Sequence, residues 1–103
     1  MLTIEDCIDR YAIELHSKDD FAEFDRLRKE QGYDNSQNIW KGSYIEDEVS
    51  TYGFAYIRPE RALNGSVIFY HGTMRESYRT NGATGVDISQ LLPDVSLLDI
   101  LET

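Results

Sequence analysis

His16 and His71 are the only imidazoles in the chain, and Cys7 is the only thiol. Nucleophilic catalysis needs a thiol or hydroxyl within hydrogen-bond reach of its base. Nothing local brings Cys7 to either histidine. Cys7 falls on the apolar side of its own segment, where a cysteine behaves as a small hydrophobe. The Cys and His spacing fits no zinc pattern, and no D-x-D-x-D-G run offers a calcium loop. The Asn81-Gly82-Ala83-Thr84-Gly85 stretch has glycines but lacks the Gly-Lys-Ser/Thr ending whose lysine reaches phosphates. The expectation is therefore no catalytic residue, no metal and no cofactor.

Phe69-Tyr70-His71-Gly72-Thr73 resembles the strand-borne His-Gly-Thr motif of ADP-ribosyltransferases, whose histidine holds the nicotinamide ribose. The resemblance covers five of the 103 residues. That family sets two more catalytic strands after the motif. Here thirty residues follow Thr73, mostly reading as loop and helix. The family's glutamate has no strand to occupy: Glu76 is too near and Glu102 is at the end. The resemblance implies that His71 would hold a nicotinamide ribose. The alternative to a binding role is a small enzyme or nucleotide-binding domain centred on His71, Arg75 and Arg79.

Charge is the stronger signal. Nineteen Asp and Glu against ten Lys and Arg give a net charge of −9. That excess argues against direct binding to nucleic acid or to anionic membranes. Residues 1–48 carry net −7, residues 58–79 net +2, and residues 80–103 four acids and no base. No apolar run is longer than that from Val67 to Tyr70, far short of the ~20 residues of a membrane span. The first six residues lack the basic start of a signal peptide, so the expected location is cytoplasmic. The length of 103 residues fits a single domain, 1–103. A chain of that size buries enough surface for a core without disulfides.

The elements that would position these groups follow from periodicity. Thr3 and Asp6 have the spacing of a capping box. Ile4, Cys7, Ile8, Tyr11 and Leu15 recur at helical intervals, so the spacing predicts a first helix reaching Leu15. A second helix starts near Ser17, with Asp19 and Asp20 in its first turn, a stripe of Phe21, Phe24 and Leu27, and Gly32 just past its end. Ile39–Ile45 and Val49–Ile57 read as strands joined at a Glu46-Asp47-Glu48 tip, with Pro59 ending the second. After the Asn64-Gly65 turn, Ser66–His71 is apolar on both faces and reads as a central strand. Met74–Arg79 reads as an edge strand and Asn81–Gly85 as a loop. Asp87 caps a short segment through Leu92, and Asp94 a last helix bearing Val95, Leu97, Leu98, Ile100 and Leu101. The predicted class is α+β: a small antiparallel sheet of three to four strands, with an N-terminal helix pair and a C-terminal helix.

On this reading Glu5, Asp6 and Asp9 face away from the apolar side of the first helix, and Asp19, Glu23 and Glu30 from that of the second. Glu46, Asp47 and Glu48 extend the acidic surface. Ile13 points into the middle of the first acidic face, like an interface anchor with a polar rim. Leu97, Leu98 and Leu101 would cover a second side of the last helix by pairing with another copy. The expected function is non-enzymatic: a small acidic inhibitor that blocks a basic surface of a partner protein. That surface includes the kind that binds nucleic acid, as in anti-defence or immunity proteins of similar size and charge. A third alternative is an oligomeric structural or assembly subunit.

Overall fold

The computed structural model describes residues 2–33 and 44–91. In chain order the elements are α1 (Ile4–Cys7), β1 (Tyr11–Leu15), α2 (Lys18–Glu30), α3 (Tyr44–Tyr52), β2 (Ala55–Arg61), β3 (Val67–Gly72), α4 (Arg75–Thr80) and β4 (Thr84–Asp87). A single 3₁₀ turn, Ile88–Gln90, follows. The four strands form one sheet in the order β3-β2-β1-β4. The protein is α+β, as its sequence predicts. The sheet is mixed: β4 runs parallel to β1, whereas β1–β2 and β2–β3 are antiparallel.

The first predicted helix is one turn followed by a strand. Thr3 and Asp6 form the expected capping box. The chain then reverses at Asp9, which takes a left-handed φ of 62°. Tyr11, Ile13 and Leu15 alternate with Ala12 and Glu14 across β1. Ile13 is therefore completely buried under the helices. It cannot be an exposed interface anchor.

The second helix is where its sequence places it. The Ser17 side chain caps the Asp20 N–H at 3.1 Å, and Asp20 Oδ2 accepts from the His16 N–H at 2.7 Å. Gly32 takes φ 91° just beyond the last turn. Glu46, Asp47 and Glu48 are not a hairpin tip. They lie within α3, whose buried Ile45 and Val49 are one helical turn apart and pack into the core. Residues 39–43 of the strand predicted before them lie outside the described residues.

Pro59 sits inside β2 rather than at its end. Its carbonyl accepts from the Asp9 N–H at 3.0 Å, so its missing donor faces the β1 side, where β1 has not yet begun. β1 and β2 are the inner strands of the four, and β3 is an outer one. The predicted edge strand at Met74–Arg79 is α4, anchored by the buried Tyr78. The predicted loop supplies Thr84 and Gly85 to β4, which the inner β1 strand recruits in parallel register. The Asp87 cap is as expected, and Gln90 completes a capping box with it. The C-terminal helix, with Leu97, Leu98 and Leu101, lies outside the described residues.

Helices α1, α2 and α3 cover one face of the sheet over Ile13, Leu15, Ile57 and Phe69. The other face carries Ala12, Tyr56 and Tyr78 with Phe54, under α4. Helices thus lie on both faces.

Candidate functional site

The acids proposed from sequence fall into separate groups, several of them built around a cation. At one end of the molecule Arg61 closes β2. Its guanidinium lies 2.9 Å from Glu5 Oε1, and its backbone N–H meets Asp9 Oδ1 at 3.3 Å. The Tyr33 hydroxyl, just past α2, donates to Glu5 as well. That bond and the Arg61 charge hold the Glu5 carboxyl below the usual range. Burial and the same carboxylate push the Tyr33 phenol up to about 12. Asp6 caps Thr3 and is likewise held low, chiefly by the Thr3 backbone N–H.

On α2, Arg26 bridges Glu23 and Glu30, one helical turn to either side. Arg28 and Lys29 share Asp25. At the opposite end of α2, Lys18 reaches Glu46 of α3 at 3.9 Å. The first turns of these two helices thus come together there, bringing the exposed Asp19 and Asp47 to one end. Glu48 is not part of an open acidic face: its Oε2 lies 3.0 Å from His71 Nδ1. The thirteen residues of α2 separate this end from the Arg61 end by about 20 Å. The ten predicted contact residues therefore make no single patch, and Ile13 is absent from the surface altogether.

Alternation along β3 puts His71 on the same sheet face as Phe69, the one covered by α1–α3. Glu48, on α3, is the neighbouring polar group that sequence reasoning did not find. Arg75 lies on the other face, where its Nε donates to Glu14 at 2.9 Å and its guanidinium lies 4.2 Å from the Phe54 ring centroid. Arg79 lies near the Tyr78 ring. The structure does not gather His71, Arg75 and Arg79 into one site.

The polar group on that second face was not singled out from sequence. Glu14 Oε1 accepts from the Tyr78 hydroxyl at 2.5 Å as well as from Arg75. Burial alone would raise the Glu14 carboxyl, but the two donors and the Arg75 charge bring it below its ordinary range. Burial first, then Glu14, pushes the Tyr78 phenol up. His16 Nε2 stands 3.7 Å from Glu14 and 3.6 Å from Asp87. Gly85 makes this possible, because a Cβ there would collide with the Tyr78 hydroxyl and lie 2.9 Å from Glu14 Oε1.

Cys7 is completely buried, and desolvation pushes its thiol up to about 12, which keeps it protonated and inert. A groove of about 660 Å³ runs beside β4, lined by Leu2, Tyr11, Thr84, Gly85, Val86, Ser89 and Gln90. Tyr11 is the only ionisable side chain in that lining. Among the described residues no group of three or more His, Cys, Asp and Glu is placed to hold a metal ion. No helix among them is long and apolar enough to cross a membrane. Comparison with protein-family models, curated proteins and solved structures finds no match for this chain.

Proposed function

We propose that this chain is a non-enzymatic binding protein whose acidic surface meets a basic surface of a partner protein. The role that fits is a small inhibitor, of the anti-defence or immunity type, blocking a surface such as one that binds nucleic acid. One observation carries the reading. Lys18, Arg26, Arg28, Lys29, Arg58, Arg61 and Arg75 each pair with a carboxylate of their own chain. These seven of the ten Lys and Arg are each offset by an acid of their own chain, and the net charge of −9 leaves the surface a negative field. Such a field speeds encounter with a basic partner and repels nucleic acid itself.

The test is capture from a lysate of the source cells, followed by elution in a salt gradient. The partner should be basic and should elute as salt rises, because exposed charges are screened within about 10 Å at 0.1 M salt. Paired neutralisation at exposed positions, Asp19→Asn with Asp47→Asn, should slow association at low salt and leave the fold intact. A partner retained equally by the wild type and by all neutralised variants would refute the proposal.

A further inference from the structure

The tip of the β2–β3 hairpin projects a large apolar side chain. Leu63 is fully exposed, the most exposed large hydrophobic residue among those described. A lone surface leucine is ordinary, but the setting of this one is not. The Ala62 N–H donates to the Ser66 carbonyl at 2.8 Å, and the Gly65 N–H to the Ala62 carbonyl at 2.9 Å. Gly65 supplies the left-handed φ of 88° that closes a loop of this length. Asn64 Oδ1 accepts from the Ser66 N–H at 3.0 Å and from its hydroxyl at 2.7 Å. Arg61 donates to the Gly65 carbonyl at 3.1 Å. The tip is therefore tied down at several points. Leu63 occupies the first of its two central turn positions, which accepts most residues and has no need of leucine.

Charge surrounds the base of this hairpin. Arg61, two residues from Leu63, binds Glu5 through its guanidinium and Asp9 through its backbone N–H. Asp6 lies on the same turn of α1 as Glu5. The arrangement is an exposed leucine on a hydrogen-bonded tip, with carboxylates beside the foot of the same hairpin. In interfaces a few well-buried side chains carry most of the binding energy, and a fixed tip loses little freedom on docking.

We infer that Leu63 is the anchor of the partner contact, inserting into an apolar pocket rimmed by Lys and Arg. The inference rests on the acidic-surface reading above and narrows it to the Arg61 end of the molecule. The partner would meet Leu63 with aliphatic or aromatic side chains and meet Glu5, Asp6 and Asp9 with its cations.

Incorporation of a photo-crosslinking amino acid at position 63, and separately at position 19, tests this in extracts of the source cells. The crosslinked protein is identified, purified and titrated against the wild type, Leu63→Ala and Leu63→Asp. A basic protein crosslinked from position 63 is expected. Leu63→Ala should weaken its binding about tenfold or more, through faster dissociation that salt barely changes. Circular dichroism and melting should show both variants folded like the wild type, since the side chain touches solvent alone. A basic partner crosslinked from position 19, with unchanged affinity for Leu63→Asp, would overturn the anchor and leave the acidic reading standing. If no basic protein is crosslinked from either position, both fail.

Discussion

Glu5 and Glu14 accept the same two kinds of donor, a phenol and a guanidinium. Glu5 takes them from Tyr33 and Arg61, and Glu14 from Tyr78 and Arg75. Their surroundings differ. The Glu5 side chain is 64% exposed and that of Glu14 16%. Water competes for every bond of the first trio, so the pairing costs and gains little. Glu5 can turn to a cation on another molecule without loss to the fold. In the second trio Tyr78 is almost completely buried, and its hydroxyl has no solvent to fall back on. The same chemistry is available for recognition where it is wet and becomes a structural requirement where it is dry.

The largest expected effect tests the dry trio. Glu14→Ala leaves the Tyr78 hydroxyl buried without its acceptor and should cost about 2 kcal/mol or more, read from urea unfolding. Glu5→Ala should leave the unfolding midpoint unchanged. Equal losses at the two positions would break the comparison.

Gly85→Ala should come next, at about 1–3 kcal/mol, because the new methyl meets Tyr78 and Glu14 and neither can withdraw to solvent. A combined Gly85→Ala and Tyr78→Phe variant separates collision from backbone strain. Removing the hydroxyl removes the closest clash, so the added cost of the alanine should shrink. An alanine cost that stays the same with Phe at 78 would place the strain elsewhere.

The third effect depends on pH. The folded state holds the Glu14 carboxyl below its ordinary value of 4.5. A depressed carboxylate contributes stability that is present above 4.5 and is lost as pH falls through the folded value. The stability gap between the wild type and Glu14→Gln should therefore narrow as pH drops below 4.5. A gap that persists or widens in acid would assign the stabilisation to packing rather than to charge.

The same contrast between wet and dry marks what the sequence reveals. Signals carried by neighbouring residues are legible: the Ser17 and Asp87 caps, the acidic first turn of α2, the Gly32 stop and the Asn64-Gly65 turn. Each is a local hydrogen bond or a local φ. Tyr11 and Leu15 satisfy a helical interval of four and a strand interval of two alike, so they do not discriminate. Ile13 does discriminate. It breaks the helical stripe and completes the alternating one, and its misfit on an acidic face is the mark of a strand. Glu46-Asp47-Glu48 misleads in the opposite direction, because the aromatic alternation of Tyr52, Phe54 and Tyr56 runs across a helix end at Gly53. The parallel pairing of β4 leaves no local trace, since β1 supplies its partner from 73 residues away. The acidic composition is plain and the Arg26 pairs are local to α2, but the pairings of Arg61 with Glu5 and of Lys18 with Glu46 depend on tertiary neighbours.

The smallest effect sharpens the wet trio. Tyr33 is partly buried against Phe69, at a ring-centroid distance of 6.1 Å, while its hydroxyl donates to Glu5. Burial, then the Glu5 bond and charge, pushes the phenol from its ordinary 10 up to about 12. A raised pKa means that the folded state holds its proton more tightly than the unfolded chain does. The linked stability is therefore fully present below pH 10 and is lost as pH rises towards 12. Spectrophotometric titration of phenolate should show a late-ionising tyrosine that Tyr33→Phe removes. Glu5→Gln takes away the charge but keeps an acceptor, so it should move that ionisation only part of the way back towards 10. Full return would make Glu5 the whole cause and burial none of it. No movement would detach Tyr33 from Glu5, and the Arg61 end of the molecule would then hold its acids by guanidinium and backbone donors alone.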